Sequence, residues 1–376
     1  MPPKPPRTDT HRLPPDNTPA GGDPGIDDTG PSDAGWAGFV RRQLDVIAAA
    51  PDTVALRAAA RRADGLIVEL HADGVRVDII ARLVGALNRR IFERLWQLLA
   101  PEALRDNSCL IVMGSEGRGE QIVKTDQDNA LLLRDGFSHP DLEKVTQAFT
   151  DALIGMGYPP CPGGIMLSRP LWRQSVTDFG ATVARWIHGG DPDGPMHLAI
   201  LLDAEAVTGD VTLLDAVRAR IDALLVGDDG YYARFAAAIG QFDSGGWWSR
   251  LPGLSGRAAT QVDLKKRGLF PLVHGVRALA LEYRTGGTST VARLAALEAG
   301  GHIDTQLARD LADVLHFLMG LKLSANLRQM AEGHAPDTMV RLEDLGTLDR
   351  QTLTDALAII RRFRQWLGLH FRLDVL

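Results

Sequence analysis

The sequence predicts an α+β fold, and three observations carry that expectation. Apolar residues recur at helical spacing over residues 36–100, short apolar runs of strand length occupy the centre, and helical periodicity returns after Ser255. At 376 residues the chain exceeds what one hydrophobic core usually serves, so more than one compact region is expected.

Taken in order, residues 1–34 are rich in Pro, Gly, Asp and Thr and hold almost no large apolar side chain. Such a segment buries too little surface to offset chain entropy, and a disordered tail is expected there. Residues 35–100 read as a helical lead-in: Val75, Ile79, Ile80, Leu83, Val84, Leu87, Ile91, Leu95 and Leu98 repeat every three or four positions. Across 101–225 the pattern shortens to apolar runs at 109–113, 130–133 and 198–202, each of strand length, with an amphipathic helix over 141–156. Residues 226–376 read as a helical bundle, with helices over 269–283, 291–299, 306–332 and 350–371 separated by Gly, Asp, Pro and Thr.

Composition narrows the function. The formal charge of −6 gives no overall basic field, which argues against a nucleic acid partner. Cys109 and Cys161 lack metal-ligand spacing and read as ordinary thiols. No apolar run reaches the roughly 18 residues of a membrane span, and the first residues lack the apolar stretch of a signal peptide, so a cytoplasmic location is expected.

The chemistry concentrates in "IVMGSEGRGEQIVKTDQDNALLL", residues 111–133. A strand ending near Met113, then Gly114-Ser115 and the first turn of a helix, makes a corner whose backbone N–H groups suit a phosphate. Downstream, the strand period puts Asp126 and Asp128 on one face, where two adjacent carboxylates repel unless a cation such as Mg²⁺ or Mn²⁺ lies between them. A phosphate corner close before a metal-holding pair suits metal-assisted transfer of a phosphate-containing group.

Gly114-Ser115 followed by Asp126-x-Asp128 resembles the signature of the polymerase-beta-type nucleotidyltransferase superfamily, whose members include the glutamine-synthetase adenylyltransferases and the nitrogen-signal uridylyltransferases. More narrowly, "GSEGRGEQ", "TDQDNA", "PPCPGGIM", "LLDAEAVTGD" and "DLKKRGLFPL" are similar, in the same order, to the nucleotidyltransferases of domain-of-unknown-function family 294. The resemblance implies a small mixed sheet with helices, flanked by an N-terminal helical region and a C-terminal helical substrate-binding bundle. It implies that Gly114, Ser115 and Arg118 hold a nucleoside triphosphate, and that Asp126 and Asp128 bind the metal ions. Asp203 would be the third acidic ligand, although Glu205 stands where relatives carry Arg; Asp178 is the fallback.

Lys265, Lys266 and Arg267 open the helical region, and resemblance turns Lys265 and Arg267 toward the nucleotide; a solvated helix start is the alternative. Glu120 and Gln121 read as supports for Arg118 or as caps, and Gly163-Gly164 as a cleft-side loop or a plain turn. His274 and His316 fall in apolar periods and read as core, as does the Trp247-Trp248 pair. The expected activity is transfer of a nucleoside monophosphate to a hydroxyl, with a protein as acceptor and signalling as the setting. A nucleotide sensor without turnover and a small-molecule nucleotidyltransferase are the rivals, and a homodimer stays open.

Overall fold

The computed structural model describes residues 33–189, 191–241 and 260–373; most of the expected tail and the Trp247-Trp248 pair lie outside them. The chain divides into two compact units, Met1–Arg42 and Gln43–Leu376, and the first helix is α1 (Asp33–Ala48).

Asp52 starts α2 (Thr53–Ala72) by accepting the Val54 and Ala55 N–H groups at 3.0 and 2.8 Å, two donors the first turn would otherwise leave unpaired. α3 (Val77–Leu99) packs on α2 and turns its remaining apolar face to α6 (Leu142–Gly155). Edge-to-face aromatic pairs fill that seam, Trp96 with Phe149 at 5.7 Å and Phe92 with Tyr158 at 5.1 Å.

After the single turn α4 (Glu102–Asp106) comes β1 (Ser108–Val112), at the heart of a four-stranded mixed sheet. β1 pairs antiparallel with β2 (Asn129–Leu133) on one side and with β4 (Glu205–Gly209) on the other, while β3 (Arg173–Ser175) adds in parallel at the β2 edge. Every residue of β1 and β2 is buried, since α7 (Val176–Ile187) and α9 (Thr212–Leu225) pack on the sheet; such strands read as unbroken apolar runs rather than alternating ones.

Two local expectations change. The 198–202 run is not a strand: it belongs to the helix α8 (Gly194–Leu201), which Pro195 opens, and the strand is the more polar β4 just beyond. A short apolar run does not distinguish a buried strand from a buried helix, and β4 is recognisable only by its hydrogen-bonded partner β1. Asp126 and Asp128 likewise precede β2, in an extended segment whose Gln127 bridges to Pro160 in parallel.

The helical layer comprises α10 (Asp229–Gln241), α11 (Phe270–Tyr283), α12 (Thr290–Ala299), α13 (Thr305–Ala331) and α14 (Thr347–His370). Ser289 caps α12 at Ala292 N and Asp304 caps α13 at Leu307 N. β5 (Gln261–Asp263), paired antiparallel with the later β6 (Met339–Arg341), precedes the π-helical turn Lys265–Leu269, which feeds directly into α11. None of the described helices is long and apolar enough to cross a membrane.

Gly275 sets the approach of α11 to α14: a Cβ there would lie 2.5 Å from Leu367 Cδ1 and 2.7 Å from Phe363 Cε1. Gly275→Val is expected to lower stability by roughly 1–3 kcal/mol through overpacking, read as a drop in the thermal midpoint. An unchanged midpoint would refute the close packing of these two helices.

Candidate active site

The corner after β1 is tight because Gly114 adopts φ +58°, where L side chains are strained, and because no side chain fits there. A Cβ on Gly114 would sit 2.6 Å from Asp128 Oδ2, so the absence of a side chain is what lets the aspartate occupy this cradle. From Gly114 the chain makes one helical turn, α5 (Gly114–Gly117), rather than a longer helix. Met113 N–H donates to Asp128 O at 2.8 Å and fixes the corner against the Asp-x-Asp segment. Ser115 is half-buried, and its hydroxyl has no hydrogen-bond partner among the described residues.

That segment is clamped from two other directions. Lys124 Nζ donates to Ala60 O, Asp64 Oδ2 and Met156 O at 3.1, 2.7 and 3.0 Å, tying the segment to α2 and α6. On its far side Gln127 N–H donates to Pro159 O and Asn129 N–H to Ile165 O, which lays "PPCPGGIM" along it. The Gly163-Gly164 loop therefore borders the Asp pair, and Gly164 takes φ +69°. The Cys161 thiol hydrogen-bonds to Asp128.

Asp128 Oδ1 is buried with no hydrogen-bond partner, a state that costs free energy unless something positive or protic meets it. Burial chiefly, and the nearby Asp126 charge, push the Asp128 carboxyl up to about 6, against the Cys161 hydrogen bond, Lys265 and Arg118. Asp126 is exposed at the edge of the site; partial desolvation raises its carboxyl too, with Lys265 and Lys322 opposing. Two crowded carboxylates, an orphaned oxygen and a glycine cradle fit a divalent cation that takes its remaining ligands from water and substrate oxygens.

Asp203 does not join this pair. It is fully buried just before β4, and both its oxygens are taken by guanidinium groups. Arg277 donates Nε to Oδ1 at 3.0 Å and Nη2 to Oδ2 at 2.5 Å, Arg293 donates Nη1 to Oδ1 at 2.7 Å, and Arg118 donates Nη1 to Oδ2 at 2.6 Å. Burial alone would raise this carboxyl, but the three guanidiniums overcome it and hold Asp203 well below the ordinary range. Among the described residues no three His, Cys, Asp or Glu side chains gather to hold a metal. The expectation of Asp203 as third ligand is thus replaced by a structural one, because its lone pairs are already spent on cations. Asp178, the fallback, is exposed at the start of α7 and pairs with Ser175 Oγ at 2.8 Å.

Arg118 is also committed, since Nε donates to Glu120 Oε2 at 2.6 Å in addition to the Asp203 contact. Glu120 therefore supports Arg118, and its other oxygen accepts Thr290 N–H at 2.8 Å; Gln121 hydrogen-bonds with Thr125. Lys265 lies close enough to the Asp pair to act on both carboxyls, whereas Arg267 is exposed and is not among the charges acting on them. Lys266 N–H caps onto Asp263 Oδ1 at 3.0 Å.

Two family models match the chain, "Putative nucleotidyltransferase DUF294" over residues 61–193 and "Putative nucleotidyltransferase substrate binding domain" over 229–371. The chain belongs to the DUF294 family. No curated protein matches it. The first DUF294 match contains Gly114, Ser115, Asp126 and Asp128; the second contains Lys265, Arg277, Arg293 and Lys322.

Several residues at this DUF294 site carry no local motif in the sequence. Arg277 and Arg293 sit within apolar helices, where nothing nearby announces a buried partner. Lys322 is the one lysine of α13, more than a helical turn from Arg309 and Arg328. Glu116 is half-buried, accepts Asn88 Nδ2–H at 2.9 Å, and through Asn88 meets the Tyr158 hydroxyl, which donates at 2.6 Å. His274 is buried in the core as expected, hydrogen-bonded to Phe235 O at 2.8 Å.

Two predictions follow from these charges. Asp203→Asn leaves buried guanidiniums without their counter-ion and is expected to cost about 3–5 kcal/mol at neutral pH, measured by denaturant unfolding. The sign with pH is set by its lowered folded-state value: Asp203 contributes its full stability above the unfolded value of 3.8 and loses it on acidification below, a loss the variant should lack. Glu116 acts the opposite way, because burial raises its carboxyl from 4.5 to about 7, so the folded state holds the extra proton and stability falls as pH rises across that window. Glu116→Gln is expected to flatten that decline; an unchanged slope in denaturation midpoints across the window would contradict the assignment.

Proposed function

We propose that the chain transfers a nucleoside monophosphate from a nucleoside triphosphate to a hydroxyl acceptor, with release of pyrophosphate. The observation that carries this reading is the Gly114 cradle around Asp128, whose buried Oδ1 has no partner and whose neighbour is a second carboxylate. Membership of a nucleotidyltransferase family supports it from an independent direction.

Asp126 and Asp128 would hold Mg²⁺ or Mn²⁺, which, when bound, offsets the charge on the phosphates and on the pyrophosphate leaving group. Gly114 and Ser115 contribute backbone N–H groups and an unpaired hydroxyl to the phosphate side of the corner. In the reaction the acceptor oxygen forms a bond to the α-phosphorus, the bond from that phosphorus to the bridging oxygen breaks, and the hydroxyl proton passes to solvent or a nearby base. The protein's part is chiefly placement: the clamps on Lys124, Gln127 and Asn129 hold the carboxylates still while the acceptor is brought in line. By resemblance to the adenylyl and uridylyl transferases, the acceptor hydroxyl belongs to a protein side chain, and the setting is regulatory.

Incubation with each α-³²P-labelled nucleoside triphosphate, Mg²⁺ or Mn²⁺ and cell lysate tests this. Label is expected to reach an acceptor with the wild type, and to fall by more than about a hundredfold with Asp126→Asn or Asp128→Asn. Metal-dependent nucleotide binding with no transfer to any acceptor would defeat the reading in favour of a sensor.

A further inference from the structure

The triphosphate corner needs a cation, and of the three that the sequence suggested Arg118 is already held by two acids while Arg267 is exposed and is not among the charges acting on the Asp pair. Arg118 gives Nε to Glu120 and Nη1 to Asp203, and it sits in a cluster whose three guanidiniums and two carboxylates leave one positive charge in excess. Withdrawing Arg118 toward a ligand would uncouple it from both acids. A second cation is placed differently. Gly268 of the π-helical turn meets α13 so closely that a Cβ would lie 2.6 Å from Leu318 Cδ1. This contact sets Lys265, at the start of that turn, beside the face of α13 on which Lys322 follows Leu318 by one helical turn.

Lys322 is half-buried and has no hydrogen-bond or ion-pair partner among the described residues. Its charged neighbours are Lys265 and Arg118, both positive, and Asp126, the exposed member of the carboxylate pair. Burial first, and the two like charges next, disfavour its ammonium, with Asp126 opposing. A half-desolvated ammonium with two cations and one carboxylate near it, and no acceptor in contact, is a poor structural ion and a good receptor for an incoming anion. Its four-carbon stem also gives the reach that phosphate-binding lysines use as point charges.

We propose that Lys322 is the residue that receives the terminal phosphates of the nucleoside triphosphate, so that the anionic tail is gripped from both family regions, by Gly114-Ser115 on one side and by α13 on the other. The inference rests on the nucleotidyl-transfer reading and adds to it the residue that recognises the part of the nucleotide to be released. Arg118 becomes a positioning residue that fixes the corner through Asp203 and Glu120. The helical region is then a necessary half of the nucleotide site as well as a surface for the acceptor.

Isothermal titration calorimetry of the full chain with inorganic tripolyphosphate, and with nucleoside tri- and monophosphates in Mg²⁺, tests this. Lys322→Met is expected to weaken tripolyphosphate and triphosphate binding by about tenfold to a hundredfold, the loss of one charge-assisted contact. Monophosphate binding should change by less than about threefold, because that ligand lacks the terminal phosphates, and Lys322→Arg should recover most of the affinity. Thermal melts accompany each titration, and Lys322→Gln replaces the Met variant if the latter melts early. Tripolyphosphate binding equal to wild type in a folded Lys322 variant, or equal loss of tri- and monophosphate binding, overturns the inference while leaving nucleotidyl transfer intact. Failure of the wild type to bind any triphosphate overturns both.

Discussion

Asp203 is the contact on which the arrangement around the site depends. A carboxylate buried this completely is tolerated only if its charge is balanced and its lone pairs are filled, and Arg118, Arg277 and Arg293 do both. The three guanidiniums come from three places: the corner after β1, α11, and α12. Each is itself buried or half-buried, so none can leave without stranding a charge. Arg293 extends the link by donating to Leu202 O at 2.6 Å and Gly287 O at 3.1 Å, and Glu120 and Glu205 add contacts to Thr290 and Thr288. Sheet and helical layer are thereby registered by charge at one point, where apolar packing alone would allow sliding.

The candidate site uses the opposite electrostatic arrangement. Around Asp203 cations exceed carboxylates and the acid is held ionised; at Asp128 burial and a neighbouring aspartate work against ionisation and one oxygen goes unpaired. A fold that satisfies one buried carboxylate three times over has no shortage of donors, so the unsatisfied oxygen reflects where the donors were placed. The Lys124 ammonium and the backbone N–H groups of Gln127 and Asn129 keep the unfavourable geometry from relaxing. Glu116, held by Asn88 under the same corner, adds a second acid whose proton affinity is raised by burial.

Much of the fold was legible in the sequence because it rests on local pattern. The helices of the lead-in and of the C-terminal bundle follow from apolar spacing, and the caps that the structure adds, Asp52, Ser289 and Asp304, act within three residues. β1 and β2 were visible as apolar runs and Gly114-Ser115 as a corner after β1, where the structure gives Gly114 a positive φ. The 198–202 run was misassigned for a definite reason: its residues suit burial in either conformation, and the hydrogen bonds that select β4 lie a hundred residues away on β1.

The site divides along the same line. By itself the sequence determined the glycine corner, the proximity of Ser115 to it, and the Asp126-x-Asp128 pair, because all of these are set by spacing within one short stretch of backbone. Tertiary structure alone decided what the isolated charges do. Asp203 has the chemistry of a metal ligand until three distant arginines claim its oxygens, and Arg118 that of a phosphate contact until Glu120 and Asp203 take its Nε and Nη1 donors and fix its place. Lys322 has no local motif around it, and only folding sets it among Lys265, Arg118 and Asp126. The role of a charged side chain depends on which opposite charges share its low-dielectric surroundings, and those are assembled by folding across tens to hundreds of residues.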